Sequence, residues 1–280
     1  MSAYHRPRTL ADALAIRAAT GALPLAGGTD IHAIRTARAG WGDPWRPEIL
    51  DLSAVPDLDG IAETAEGWRI GARTTWTTIA ESPLPPLFDG LRAAAREVGG
   101  RQVQNRGTIA GNLVTASPAG DGIPNLLVLD AEVELASAGA TRRLPIARFL
   151  TGYRSTALLP GEIVTALHIP RCDGARSRFE KLGARRYLVI SIAMAAGVIR
   201  LEGDHVADVR IAVGACSPVA RRLPALEAAL TGLHPSELPH VPQPAHLAPL
   251  TPIGDVRASA AYRSEAALVL LRDLLAGFAR

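Results

Sequence analysis

The chain has 280 residues, 48% of them hydrophobic, 20% charged and 4% aromatic, with a formal net charge of +3. That balance belongs to a folded globular protein, excludes overall disorder, and leaves room for one large or two ordinary domains. No basic run, no basic–aromatic interleaving and no apolar stretch of about 18 residues occurs, so neither nucleic-acid binding nor a membrane-spanning helix is indicated.

In chain order, residues 1–7 lack the apolar core of a secretory leader, and the expected location is the cytoplasm. Leu10 to Ala19 reads as an amphipathic helix with Thr9 as its N-cap. Residues 23–26 form a short buried strand running into Gly27-Gly28, and Thr29 to Arg38 is helix-like. Pro44 to Pro47 is a loop, Ile49 to Leu52 a strand, Trp68 to Ala72 another, and Thr75 to Ala80 a helix. Leu91 to Val98 is helical and stops at Gly99-Gly100. Residues 105–121, rich in Gly, Ser, Thr and Asn, make an expensive loop unless something fills it. Strands follow at 131–135 and 163–169. Residues 170–176 form a polar link, then strands at 192–200 and 209–214, helices at 223–230 and 259–275, and a proline-rich loop over 234–252.

Two cysteines, Cys172 and Cys216, are too few for an iron–sulfur cluster or a cysteine-based zinc site, so any redox chemistry requires an organic cofactor. His234, His240 and His246 fit no established metal spacing and read as loop residues. The four tryptophans read as packing residues. Of 30 Lys plus Arg only Lys181 is a lysine, which marks it as an ammonium kept for its own chemistry.

Leu25-Ala26-Gly27-Gly28-Thr29-Asp30, followed by Ile31, is a strand that ends at two glycines and enters a helix. Such a turn is either plain or a phosphate cradle, since glycines admit close approach and the following N–H groups point at an anion. It has neither Walker nor G-x-G-x-x-G spacing. Gly107-Thr108-Ile109-Ala110-Gly111-Asn112, continuing through Ser117 to Asp121, offers a second set of backbone donors, hydroxyls and a carboxylate. Two such elements far apart in sequence are explicable if they grip one extended dinucleotide.

With Arg178 to Tyr187, these tracts resemble the FAD-binding subunit of the molybdenum hydroxylases, the family of xanthine and carbon monoxide dehydrogenases. The resemblance extends to the opening helix, Ile70 to Thr74, Arg101 to Asn112, Pro160 to Val164 and Ala258 to Arg263. It implies an α+β fold: an FAD-binding region of the vanillyl-alcohol-oxidase type over 1–172, with subdomains at about 1–55 and 56–172, then a smaller α/β domain over 173–280. It also implies noncovalent FAD, because no histidine sits in the AGGTD loop where covalent relatives attach the flavin. Residues Ala26, Gly27, Gly28, Thr29 and Asp30 would cradle the pyrophosphate, with Leu25 and Ile31 also among the cofactor-binding residues, and Thr108, Gly111 and Asn112 would face them. Ser117 and Asp121 would take ribityl or ribose hydroxyls, Ile163 the flavin edge, Lys181 the isoalloxazine and Tyr187 the ring face. Ala110 departs from the glycine usual in the family.

By the same resemblance, a large subunit would hold the molybdenum cofactor and a small one the [2Fe-2S] clusters, in a heterotrimer or its dimer. Electrons would pass through the clusters to this FAD and on to NAD or another acceptor. A self-sufficient FAD oxidase of the same superfamily is the alternative, and a homologue that has lost FAD a further one.

Overall fold

In the computed structural model, residues 3–43 and 45–279 are described. Met1, Ser2, Pro44 and Arg280 lie outside the described residues, and with them the start of the opening stretch and the first residue of the expected loop 44–47.

Local sequence sets the helix starts. The first helix, α1 (Leu10–Thr20), follows β1 (Tyr4–His5) and begins where the Thr9 hydroxyl accepts from the Asp12 N–H at 3.1 Å. It ends at Gly21, whose φ of 68° is a left-handed conformation that glycine adopts without a Cβ clash. Next come β2 (Leu23–Leu25), α2 (Thr29–Gly40) and β3 (Ile49–Asp51), with β3 lying parallel between β1 and β2.

The middle of the chain adds β4 (Ile61–Thr64), β5 (Gly67–Gly71), α3 (Trp76–Glu81), α4 (Asp89–Glu97), α5 (Arg101–Gln104), α6 (Ile109–Thr115) and α7 (Gly122–Val128). It continues with β6 (Glu132–Ala136), β7 (Thr141–Pro145), α8 (Ile146–Phe149), the hairpin of β8 (Leu150–Gly152) and β9 (Ser155–Thr156), and β10 (Ile163–Pro170). β4, β5, β10, β6 and β7 form one antiparallel sheet in that order. The strand that closes it, β10, is its centre, and it is apolar through most of its length because both faces are covered.

The remaining sheet is antiparallel in sequence order: β11 (Arg176–Leu182), β12 (Ala193–Glu202), β13 (His205–Gly214) and β14 (Arg221–Arg222). α9 (Pro224–Leu230) and α10 (Ala260–Phe278) complete the chain. Leu226, Leu230 and the α10 residues Leu270, Leu271, Leu274 and Phe278 share a core with Ala193, Ala195, Ile199, Ile211 and Val213. The alternate strand residues Met194, Ala196, Val198 and Ala212 belong to another core, which contains Leu91, Leu126, Leu135 and Leu167. Period-two alternation therefore splits this sheet between two cores.

The tract 105–121 differs most from expectation. It is a short helix and its flanking turns, because Thr108 caps α6 through an acceptor bond from the Gly111 N–H at 3.1 Å, while Ile109, Ala110 and Leu113 are buried. The proline-rich stretch holds two 3₁₀ turns, in which the exposed His234 and the half-buried His246 each accept a backbone N–H group. Trp41, expected to pack, is 89% exposed, whereas Trp76 is buried and Trp68 meets Phe88 edge-to-face. Both cysteines are free thiols. Among the described residues, no helix is long and apolar enough to cross a membrane.

Candidate functional site

The turn after β2 and the turn before α6 meet. A Cβ built on Gly27 would lie 1.8 Å from the Arg106 carbonyl oxygen, so the two loops are pressed together to a degree that only hydrogen at that position permits. Gly28 caps α2 with φ of 74°, again a glycine conformation, and no side chain makes a capping hydrogen bond there, although the His32 ring lies 2.7 Å from where a Gly28 Cβ would sit. The His32 N–H reaches the Gly28 carbonyl at 3.0 Å. The N–H groups of Thr29, Asp30 and Ile31 in the first turn therefore have no intrahelical acceptor and are open to an anion.

The second tract contributes differently from what its glycines suggest. Ile109 and Ala110 donate their N–H groups to the carbonyls of Thr74 and Ala72 at 3.0 and 3.3 Å. Gly111 donates to Thr108 Oγ1 and Asn112 to the Thr108 carbonyl. These donors hold α6 to the end of β5 and are not free for a ligand. What α6 offers is the Asn112 carboxamide. Ala110 is buried, its methyl accommodated in the wall.

Between the loops lies a cavity of about 540 Å³. It is lined by residues 26–31 together with Thr108, Gly111, Asn112 and Ile163, which the structure thus brings together from three separate stretches. Trp76, Val98, Val103 and Leu158 give it apolar walls, a combination suited to a flat aromatic ligand with a charged linker. Glu162 also reaches it, but its carboxylate takes Arg142 Nε at 2.7 Å, which holds Glu162 below the usual carboxylate range against partial burial. Asp30 accepts from the Thr115 hydroxyl at 3.2 Å, which ties α2 to α6.

Leu25, Ser117, Asp121, Lys181 and Tyr187 do not line this cavity. Leu25 is buried beneath the turn, since strand alternation points it into the protein. The Ser117 hydroxyl accepts from the Ala119 N–H at 3.3 Å. Tyr187 is 62% exposed, with the Arg186 guanidinium 5.3 Å from its ring centre. Lys181 and Asp121, assigned to different parts of a ligand by the resemblance, bind one another: Lys181 Nζ donates to Asp121 Oδ2 at 2.6 Å, and Ser191 Oγ donates to Oδ1 at 2.6 Å. Both side chains are more than nine-tenths buried, at 8% and 7% exposure. Burial pushes the Asp121 carboxyl above the ordinary carboxylate range, and the Lys181 ammonium and Ser191 hydroxyl pull it back.

Two cavity residues had no motif to announce them. Arg17 comes from the last turns of α1, and Arg73 is the variable residue of Gly71-Ala72-Arg73-Thr74. The isolated bridge between Thr75 and Thr108 sets the second of these against the Gly107 turn.

Known proteins resemble the chain over nearly all its length. Residues 1–172 match the model of the FAD binding domain in molybdopterin dehydrogenase, and residues 178–277 match the CO dehydrogenase flavoprotein C-terminal domain. A putative xanthine dehydrogenase FAD-binding subunit of Escherichia coli K12 is 33% identical over 79% of this chain and 76% of that protein. The carbon monoxide dehydrogenase medium chain of Hydrogenophaga pseudoflava is 29% identical over 99% of this chain and 97% of its own length. Among solved structures, the reconstituted CO dehydrogenase from Oligotropha carboxidovorans superposes with a TM-score of 0.88 at 29% identity, covering 98% of this chain and 96% of that one.

Proposed function

The chain belongs to the FAD-binding subunits of the molybdenum hydroxylases, and from that premise we propose that it is the flavin-bearing electron-transfer component of such an enzyme. In this reading it takes electrons from a [2Fe-2S] subunit and passes them to NAD or another acceptor, while a large subunit holds the molybdenum cofactor. The observation that carries the reading is the convergence of the Gly27-Gly28 turn and α6 on one cavity with a charged floor and apolar walls.

The residues present fit FAD. The open N–H groups at the start of α2 suit the pyrophosphate, the Asn112 carboxamide suits a polyol or phosphate oxygen, and the apolar walls toward Ile163 suit the ring system. FAD, when bound, supplies the exchange between one-electron and two-electron carriers. The protein's part is to orient it, to exclude water from its ring and to hold the walls in register. Lys181 enters through Asp121, which it fixes against β11, and Ser117 and Tyr187 remain candidates at the margin of the site. We divide the chain at about residue 172, with the C-terminal part closing over the FAD-binding region, and we place the assembly in the cytoplasm as a heterotrimer or its dimer.

A self-sufficient oxidase would draw on an acid–base side chain beside the flavin, and the described residues lining the cavity include no histidine or tyrosine. The test is purification of the tagged chain with its copurifying subunits, followed by flavin and metal analysis. FAD released on denaturation, with molybdenum and iron in the partner subunits, is the expected result. A chain that carries no FAD in any purified assembly overturns the reading, and turnover of a small alcohol or amine by the chain alone would favour the oxidase.

A further inference from the structure

Resting on the reading of the cavity as an FAD site, we propose that Arg17 and Arg73 are the cations that neutralise the pyrophosphate, and that they give the site its preference for a dinucleotide over a bare flavin.

The argument starts from charge. Both side chains line the cavity, and neither has a carboxylate partner among the described residues. Arg17 Nη1 donates to the carbonyls of Gly21 and Ala22 at 2.7 and 2.9 Å, so its guanidinium is fastened at the end of α1 beside the strand that leads to Gly27. Its Nε is buried with no acceptor at all. Arg73 makes one bond, from Nη1 to the Val55 carbonyl at 3.1 Å, which fixes it at the root of the same cavity and leaves the rest of its donor fork unused. Two other half-buried guanidiniums, on strands of the neighbouring sheet, do have carboxylates: Arg142 has Glu162, and Arg69 lies 3.9 Å from Glu134.

Two guanidiniums without a carboxylate in one half-enclosed cavity leave charge and donors uncompensated, an arrangement that costs stability unless a ligand supplies acceptors. Neither carboxylate at the cavity is bonded to them: Glu162 takes Arg142, and Asp30 receives the Thr115 hydroxyl on the exposed side of α2. A pyrophosphate diester carries one negative charge on each phosphate, so two arginines balance it. Arginine forks meet phosphate oxygens with paired, directional N–H donors. The open N–H groups of Thr29, Asp30 and Ile31 then complete the anion site with neutral donors. The glycine turn admits the phosphates; the arginines supply the charge.

The experiment measures binding to the flavin-stripped complex purified through this chain, with FAD, ADP and riboflavin as probes, for wild type, Arg17→Met, Arg73→Met and Arg17→Lys. The expected result is a roughly tenfold loss of FAD and ADP affinity for each methionine variant and unchanged riboflavin affinity. Arg17→Lys should lose less than Arg17→Met, because the charge remains while the paired donors are gone. Wild-type FAD affinity should also fall with salt, and less steeply in the double methionine variant. Arg73→Met keeps the test open if loss of the Arg17 carbonyl bonds unfolds the start of the chain. FAD affinity that is unchanged in Arg73→Met overturns the proposal. So does an equal loss of riboflavin, which would mean that the arginines act by shaping the fold. A wild-type complex that binds no FAD would instead overturn the reading of the site itself.

Discussion

Replacing Lys181 by methionine tests the buried pair on which the site's frame depends. Among the described residues the ammonium has no carboxylate partner but Asp121, and it adds a longer contact to the Glu97 carbonyl at 3.4 Å. Its loss leaves a carboxylate at 7% exposure with only the Ser191 hydroxyl as donor. Stranding one member of a buried pair costs about 3–5 kcal/mol. A chain of this size loses about 2–4 °C of melting temperature per kcal/mol, so the fall should be roughly 6–20 °C. The pH dependence has a defined sign. With Lys181 absent, nothing opposes the burial that raises the Asp121 pKa except Ser191, so the folded variant holds a proton that the unfolded chain releases. Its deficit is therefore largest above the ordinary carboxylate range, and the gap to wild type narrows as the pH is lowered from about 7.5 to about 5. Thermal melts of wild type, Lys181→Met, Asp121→Asn and the double variant across that range measure it, the double variant melting above Lys181→Met alone. A Lys181→Met protein that melts within about 2 °C of wild type at every pH would refute the reasoning.

Gly27→Ala should abolish FAD binding or weaken it at least tenfold, read by flavin fluorescence, because the new methyl drives the two loops apart at the Arg106 carbonyl. Asn112→Ala should weaken FAD by roughly tenfold with little change in melting temperature, since its carboxamide lines the cavity and makes no hydrogen bond among the described residues. Thr108→Ala removes the cap of α6 and should cost about 1 kcal/mol in denaturant unfolding as well as loosening FAD. Glu162 is held below its ordinary pKa, so the stability it contributes is present above the usual glutamate value and lost as the pH falls through its depressed one. Acid melts of Glu162→Gln should accordingly show a shallower decline than wild type.

Much of this was legible because local chemistry decided it. Thr9, Thr75 and Ser259 announce their helices and cap them by accepting backbone N–H groups. The apolar run of β10 marks a strand covered on both faces. The weakly patterned β4 and β7 were not legible, because both are edge strands whose residues are mostly exposed or half-buried. The glycine-rich tract 105–121 misled in one respect: composition announced donors, but the Gly111 and Asn112 N–H groups close the first turn of α6 on Thr108, and those of Ile109 and Ala110 go to Thr74 and Ala72. Lys181 and Asp121 could each be singled out, but nothing in the spacing of two residues so far apart reveals that they are partners. Arg17 and Arg73 carry no signal at all, since a cation on a helix or after a strand is unremarked until a cavity forms around it.

The lone lysine has a practical consequence. Reagents that acylate primary amines find one side-chain ε-amine in this chain, and it lies at 8% exposure between α7 and β11, clasped by a carboxylate. A protonated, enclosed amine is a poor nucleophile, so Lys181 should acylate only when that seam parts. The rate of its modification is therefore a chemical clock for opening, written into the protein by an arginine-saturated sequence and readable by mass spectrometry without any engineered label.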